Sequence, residues 1–387
     1  MLKYICIIAV VIIGEVVAKS VFPTPRLDTA CSKIVVRRDV TTLGPAELDR
    51  FFRVVREMHR RGWMDGFGSM HDHISHQVHG NDQFFAWHRR FLRHFEVLMQ
   101  DIDPDVVLPY WNWGTFWQNP LADPVLSAAY FGSNGRPGDG CVLDGAEARW
   151  GRNYPSRNCL TRKFRYGTST GSFWPMRAVR DVMNSAKTHA QFRSRIENGA
   201  HGIVHLGLGG DFETMWAPVD VLFFLHHAMI DKIWAEWQSR DLQRFRSVDG
   251  YDAARQPVMA SSLLPFYGDE VSTTLATNGP GYCYVYDDVP GPAPFVKSTH
   301  KRDEMPEFAA PLNGTDTSSD SFVNMRVANS KGGSSIVDFT PPQPMDPKWL
   351  KSMHYDVKEA ARMQHLVDNV VAQINAERRE VGSTKSK

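Results

Sequence analysis

The sequence predicts a mainly α-helical fold, a four-helix bundle built around two metal ions, with long disulfide-braced loops and few short strands. Three observations carry that prediction. Apolar residues recur at helical spacing in several separate segments, the stretch Leu121 to Gly171 is rich in Gly, Pro and Asn without a sustained period, and histidines gather in two groups. The 387 residues are 42% hydrophobic, 22% charged and 11% aromatic, a globular balance that excludes a disordered or fibrous chain. At ~100 to 200 residues per domain, there is room for one large domain or two ordinary ones. Lys and Arg number 44 against 43 Asp and Glu, a net charge of +1. Neither nucleic acid nor an anionic membrane is therefore the expected partner.

Residues 1–18 read as a signal peptide: Lys3 precedes the apolar run Ile5 to Ile13, and Val16-Val17-Ala18 offers small residues before Lys19. The run is far shorter than the ~20 residues that cross a bilayer, so secretion is expected and a membrane anchor is the weaker reading. Removing residues 1–18 takes away Lys3, Glu15 and Cys6, which leaves the charge at +1 and four cysteines, Cys31, Cys141, Cys159 and Cys283. An even number in a secreted chain favours two disulfides. Of the three possible pairings, the expectation is a local loop, Cys141 to Cys159, and a long closure, Cys31 to Cys283. No two cysteines have the close spacing of a zinc site. The sequon Asn313-Gly314-Thr315 lies in a Ser/Thr/Asp-rich stretch where a glycan would be exposed.

Pro23 to Arg38 reads as irregular chain. Gly44-Pro45-Ala46-Glu47 then opens a helix with Pro in its first turn, and Leu48, Phe51, Phe52, Val55 and Met58 follow at helical spacing. A second helix runs from about Asp82 to Gln100 with Phe84, His88, Phe91, Phe95 and Leu98 on one stripe. Leu121 to Gly171 is a long loop region. A helix through Ala190 to Ile196 and on to His205 stops at Gly207-Leu208-Gly209-Gly210. That glycine run follows a helix instead of a strand, so it is not read as a phosphate-cradling loop. Another helix spans Asp220 to about Gln243; the cations nearby, Arg240, Arg244 and Arg246, read as a solvated face. Beyond Val289 the chain turns Pro-rich, then polar, and closes with a helix from about Asp356 to Ala376 on which Val357, Leu366, Val370 and Ile374 repeat.

Histidine carries the functional signal. His59, His71, His73, His76, His79, His88 and His94 fall within one short stretch, and His189, His201, His205, His226 and His227 within another. His201 and His205 are four apart, so on a helix they project from one face about one turn apart, as two imidazoles sharing a metal must. His227 lies in a helix among Phe223, Phe224 and Ile230, and His88 on the apolar stripe of its own helix. An unpartnered imidazole is costly in either place. Imidazole ligation suits copper, zinc or iron, and two His-rich helix pairs suggest two metals. Spacing alone does not choose between His226 and His227.

Two runs are recognisable. His79-Gly-Asn-Asp-Gln-Phe-Phe-Ala-Trp-His88-Arg-Arg-Phe-Leu-Arg-His94-Phe-Glu96 resembles the copper A signature of the tyrosinases, and Asp220-Val-Leu-Phe-Phe-Leu-His226-His227-Ala-Met-Ile-Asp231 resembles their copper B signature. The likeness to this type-3 copper family, which includes catechol oxidases and molluscan haemocyanin units, covers roughly residues 30–290. Pro341 to Asn375 is similar to the tail of short fungal-type members. The resemblance implies a binuclear copper site, with His71, His79 and His88 at copper A and His201, His205 and His227 at copper B. His73 and His76 are rivals to His71. Tyr282-Cys283-Tyr284 resembles the motif that closes the catalytic domain, giving a catalytic domain over 19–290 and a C-terminal extension with a terminal helix over 291–387.

The chain also departs from the family pattern. Gln77 stands where plant and many fungal members place a cysteine that crosslinks to a ligand histidine, so no thioether is expected. Val221 replaces the usual Pro of the copper B motif, with Asp220 still able to cap the helix, and Asn112 in Tyr110-Trp111-Asn112-Trp113 replaces the usual Asp. Asp231 is expected to anchor the region of His227 through Arg89, and Phe223 and Trp216 to wall the pocket.

By resemblance the activity is oxidation of small phenols with O2 as co-substrate: o-diphenols to o-quinones, with weaker ortho-hydroxylation of monophenols. Hydroxylation requires loss of the phenol proton, and in the family a Glu a few residues before the first copper B ligand and an Asn immediately after it hold a water for that purpose. Here Glu197 matches the Glu, but Gly202 supplies no amide, so slow monophenol turnover is expected and Gly202→Asn would restore the pair. The alternatives are a catechol oxidase without monophenolase activity and, as the competing class, a haemocyanin-like dioxygen carrier. A carrier normally repeats its unit, and one site here favours the enzyme. The oligomeric state is not legible in the sequence.

Overall fold

The computed structural model describes residues 22–289 and 337–384, with side chains to Val381. The signal peptide and the sequon at Asn313 lie outside the described residues. Helices dominate: Pro45–Arg60 (α1), Trp63–Val78 (α2), Phe84–Gln100 (α3), Met176–Ser185 (α4), His189–Ile196 (α5), Gly202–Leu208 (α6), Leu222–Ser239 (α7), Leu242–Arg246 (α8), Pro347–Ser352 (α9) and Val357–Thr384 (α10). Among the described residues two small sheets accompany them. Val35–Arg37 (β1) pairs in parallel with Tyr284–Tyr286 (β4), and Gly151–Arg152 (β2) pairs antiparallel with Asn158–Cys159 (β3).

Helix α1 begins as its sequence requires: Pro45 sits in the first turn and the Glu47 carboxylate accepts from the Gly44 N–H at 2.9 Å. It buries Phe51, Phe52, Val54, Val55 and Met58. Gly62, at φ +74°, makes the left-handed turn into α2, a helix the apolar pattern did not predict. Helix α2 buries Trp63, Met64, Phe67, Met70, His71 and Val78 on one face, but glycines, histidines and polar residues interrupt that stripe and dilute its signal. Helices α4 and α9 were likewise not predicted.

The bundle is built on α3 against α7. Phe95 stacks on Phe224 with ring centroids 3.6 Å apart, Phe91 stacks on the same ring at 5.7 Å, and one turn earlier His88 stacks on His227 at 4.5 Å. The loop region between residues 121 and 171 is irregular as expected, braced by Cys141–Cys159, and Cys31–Cys283 ties the N-terminal chain to β4. Both disulfides are those the spacing suggested. Val221 uses the amide that a Pro would lack, donating to Glu147 at 2.8 Å, while Asp220 accepts from Leu222 N at 2.8 Å and is paired with buried Arg162. Helix α10 runs past the predicted Ala376 to Thr384 and buries Met363, Val367, Val370 and Val371 in the same core as α3 and α7. Among the described residues no helix is long and apolar enough to cross a membrane.

Candidate metal centre

His71 projects from the buried face of α2. His79 follows the helix in extended backbone (φ −113°, ψ 151°), and Gly80 then turns at φ +67°, with the His354 carbonyl oxygen 2.3 Å from where a Cβ would stand, so only glycine fits. His88 lies one turn into α3. The three rings converge: His79 Nε2 is 3.0 Å from His71 Nε2, which is 3.3 Å from His88 Nε2. Opposite them, His227 Nε2 on α7 is 3.2 Å from His201 Nε2 and 3.4 Å from His205 Nε2. His226 belongs to the same buried group, its ring 5.3 Å from that of His201, but the close Nε2 contacts are made by His227. His73 and His76, the rivals of His71, face outward.

A π-helical turn over Glu197–His201 joins α5 to α6. Such turns insert a residue into a helix and recur at functional sites; here the turn sets Glu197, His201 and His205 all on the buried side. The far nitrogens of the rings are held. His71 Nδ1 lies 2.5 Å from the Met215 carbonyl, His88 Nδ1 2.7 Å from that of Phe84 and His205 Nδ1 2.7 Å from that of Phe212. A carbonyl only accepts, so each of these rings carries its proton on Nδ1 and turns an Nε2 lone pair into the centre. His79 Nδ1 is 3.2 Å from Glu197 Oε1 and His201 Nδ1 is 3.1 Å from the Tyr355 hydroxyl. His227 Nδ1 is buried without a hydrogen-bond partner among the described residues.

All six rings are kept neutral. Burial lowers His71 to about 4 and His205 to about 3, and it pushes His79, His88, His201 and His227 well below the ordinary imidazole range, with the neighbouring imidazoles adding to the effect in these four. Neutral imidazole is the metal-binding form. Converging lone pairs repel unless a cation lies between them. Around a tetrahedral ion at the usual metal–nitrogen distance, ligand nitrogens stand about 3.3 Å apart, and the observed spacings lie close to that. The donor set fits two imidazole-bound ions such as copper.

The same shifts predict how the metal-free protein responds to acid. Unfolded histidine titrates near 6.5, whereas folded His71 and His205 resist protons down to about 4 and 3. Below pH 6.5 the unfolded state binds protons that the folded state declines, so stability falls as pH falls, by up to about 1.4 kcal/mol per pH unit for each residue. The urea midpoint of metal-free protein should therefore drop between pH 6.5 and 5; a constant midpoint would contradict the buried, neutral triplets.

Three sequence expectations concern the surroundings. The Asp231–Arg89 link is present: Arg89 Nε donates to Asp231 at 2.6 Å, and the Tyr284 and Tyr286 hydroxyls donate to its other oxygen at 2.5 and 2.6 Å. Phe223 stacks on His227 at 4.1 Å and meets His71 edge-on at 5.1 Å; the Trp216 indole N–H donates to Asp211 at 2.9 Å. Asn112 is half-buried, and its shielded Oδ1 has no hydrogen-bond partner among the described residues.

Glu197 is fully buried, and both of its oxygens are engaged. Oε1 accepts from Gly80 N at 2.9 Å and Oε2 pairs with Arg193 at 2.9 Å. Burial raises its pKa, against the opposing pull of Arg193. A Cβ on Gly202 would lie 3.0 Å from the Tyr355 ring and 3.1 Å from the Met345 sulfur. An Asn there would need the Tyr355 ring and the Met345 side chain to shift slightly. Sequence reasoning missed Tyr355, Met215 and Phe212 as partners of these rings. Nothing near His201 in sequence points to Tyr355, 154 residues away.

A helical bundle that turns two facing triplets of neutral imidazoles inward defines a dinuclear metal protein. Comparison with known proteins gives the family. Residues 51–240 match the tyrosinase family model, the common central domain of tyrosinase. Tyrosinase of Streptomyces antibioticus is 33% identical over 234 residues, which span 54% of this chain and 84% of that protein. Grixazone synthase of Streptomyces griseus is 30% identical over 262 residues, 53% of this chain and 84% of that one. Among solved structures, a polyphenol oxidase from Thermothelomyces thermophila shares the fold, with a TM-score of 0.58 at 19% identity over 67% of this chain and 91% of that one. The chain belongs to the tyrosinase family of type-3 copper proteins, with two copper ions as cofactor and O2 as co-substrate.

Proposed function

We propose that the chain is a secreted phenol oxidase that converts o-diphenols to o-quinones, with slower ortho-hydroxylation of monophenols, and that His71, His79 and His88 hold one copper and His201, His205 and His227 the other. The observation that carries this reading is the facing of two Nε2 triplets, bridged by the His88–His227 stack. Both disulfides and the N-terminal apolar run support secretion. When bound, the copper pair supplies two-electron exchange with O2, so that two catechols become two quinones while one O2 becomes two waters.

The protein's own work is orientation and exclusion of water. Backbone carbonyls fix three rings through Nδ1, and Glu197 Oε1 holds a fourth, that of His79. Phe223 packs against His71 and His227 and keeps bulk water from between them. For a monophenol, whose hydroxyl has a pKa near 10, a proton acceptor is also needed. Glu197 matches the family's acceptor by position, but its oxygens are occupied by Arg193 and Gly80, and Gly202 offers no amide. The contacts favour Glu197 as a positioning residue and support slow hydroxylation.

Oxygen uptake on a catechol and on the matching monophenol tests this. Prompt, sustained uptake on the catechol and a lagging, slower rate on the monophenol are expected. Equal rates would overturn the ranking, and reversible oxygenation without quinone would make the chain a carrier. Glu197→Gln should slow both reactions alike and loosen copper; loss of hydroxylation alone would restore Glu197 as the proton acceptor.

A further inference from the structure

We propose that the C-terminal chain is a working part of the copper B half-site, in which Tyr355 is the positioning residue that sets the ring angle of His201. The inference rests on the reading of His201 as a copper ligand.

The two half-sites are not held alike. Every ring of the first triplet has its Nδ1 engaged from within the catalytic region, by Met215, Glu197 and Phe84. In the second triplet, among the described residues, only His205 has such a partner, the Phe212 carbonyl. His227 Nδ1 has none, and His201 Nδ1 faces the Tyr355 hydroxyl at 3.1 Å. With Nε2 on a metal, the Nδ1 proton of His201 has the phenol oxygen as its acceptor. Partners of this kind fix a ligand's ring and raise its basicity.

The backbone beneath His201 is held by the same segment. His201 ends the π-helical turn Glu197–His201, whose Asn198 accepts from Asp356 N at 2.6 Å. Consecutive C-terminal residues thus grip both the ring of His201 and the turn that carries it. The seat is shaped for this contact. Gly202 leaves room for the Tyr355 ring, His354 turns left-handed at φ +61° just before it, and the His354 carbonyl packs on Gly80 beside His79. Tyr355 is buried with Leu350, Met353 and Met215, and Trp349 donates to the Glu213 carbonyl at 2.9 Å. The cluster therefore also abuts Met215, whose carbonyl holds His71.

Copper retention reads this role without relying on turnover. Copper-loaded wild type, Tyr355→Phe, Met345→Ala and His201→Ala would be titrated with a chelator while bound copper and the paramagnetic signal of isolated Cu(II) are followed. Tyr355→Phe keeps the ring and loses only the oxygen. It should retain one copper as tightly as wild type and release the other at roughly 10- to 100-fold lower chelator concentration, with the isolated-copper signal appearing as it does so. Met345→Ala loosens the packing on Gly202 but spares the oxygen, and should release copper as wild type does. Wild-type retention by Tyr355→Phe, or equal loss from Met345→Ala, would overturn the proposal while leaving the ligand assignment standing. Two coppers in His201→Ala would overturn the ligand assignment and this proposal with it.

Discussion

His88→Ala and His227→Ala should each leave about one copper per chain and no measurable catechol-dependent oxygen uptake, because each removes one imidazole from a different triplet and a two-electron reaction at a coupled pair needs both metals. The two rings stack at 4.5 Å across the α3–α7 interface, so either change also opens a cavity in the wall between the half-sites. Controls separate the metal effect from the packing effect. His226→Ala removes a ring as buried as that of His227 from the next position on α7, yet the Nε2 contacts at 3.2 and 3.4 Å are made by His227. His226→Ala should keep two coppers, and His73→Ala, at an outward-facing position, should be indistinguishable from wild type. Copper content by atomic absorption and oxygen uptake decide the matter. Full activity in either ligand variant, or loss of a copper from His226→Ala, would redraw the site.

How far the site was legible follows from where its chemistry is encoded. His201 and His205 share a helical face, and an imidazole in an apolar stripe is conspicuous, so the second triplet could be drawn from spacing except for the choice between His226 and His227. That choice needed either the family's motif or the fold, because adjacent residues on a buried helix are both apolar-facing. His71 was harder. Helix α2 went unpredicted because Gly66, Gly68 and the outward His73 and His76 interrupt its apolar period, so three histidines competed until the helix put one of them inside. The pairings that fix the rings were not legible at all. Three of them are backbone carbonyls, which carry no sequence signature, and Tyr355 reaches His201 from the far end of the chain. Glu197 was legible only through the family's motif, and its burial comes from the π-helical turn that carries it.

The largest stability loss is expected at Asp231, which touches no ligand ring. Its carboxylate lies between the two central helices: Arg89 on α3 donates to one oxygen at 2.6 Å, the Tyr284 and Tyr286 hydroxyls donate to the other, and Arg37 stands 3.6 Å away. Burial, then the negative charge of Asp231, raise both tyrosines well above their ordinary range, so they remain protonated donors. Asp231→Ala would leave Arg89 buried with a charge that Gln238 and backbone carbonyls only partly satisfy, and Arg89 Nη2 already lacks a hydrogen-bond partner. Breaking a buried pair from one side typically costs about 3–5 kcal/mol, since the partner's desolvation is no longer compensated. The exposed Arg53–Asp49 pair on α1 is the internal reference: Asp49→Ala should cost at most about 1 kcal/mol. Urea unfolding of the metal-free proteins separates the two, and similar small losses would mean that Asp231 is not the cross-brace of α3 and α7. Since β4 carries Tyr284 and Tyr286 and is tied to the N-terminal chain by Cys31–Cys283, reduction of that disulfide should lower the stability of wild type more than that of Asp231→Ala, in which the tyrosines no longer have a carboxylate to hold.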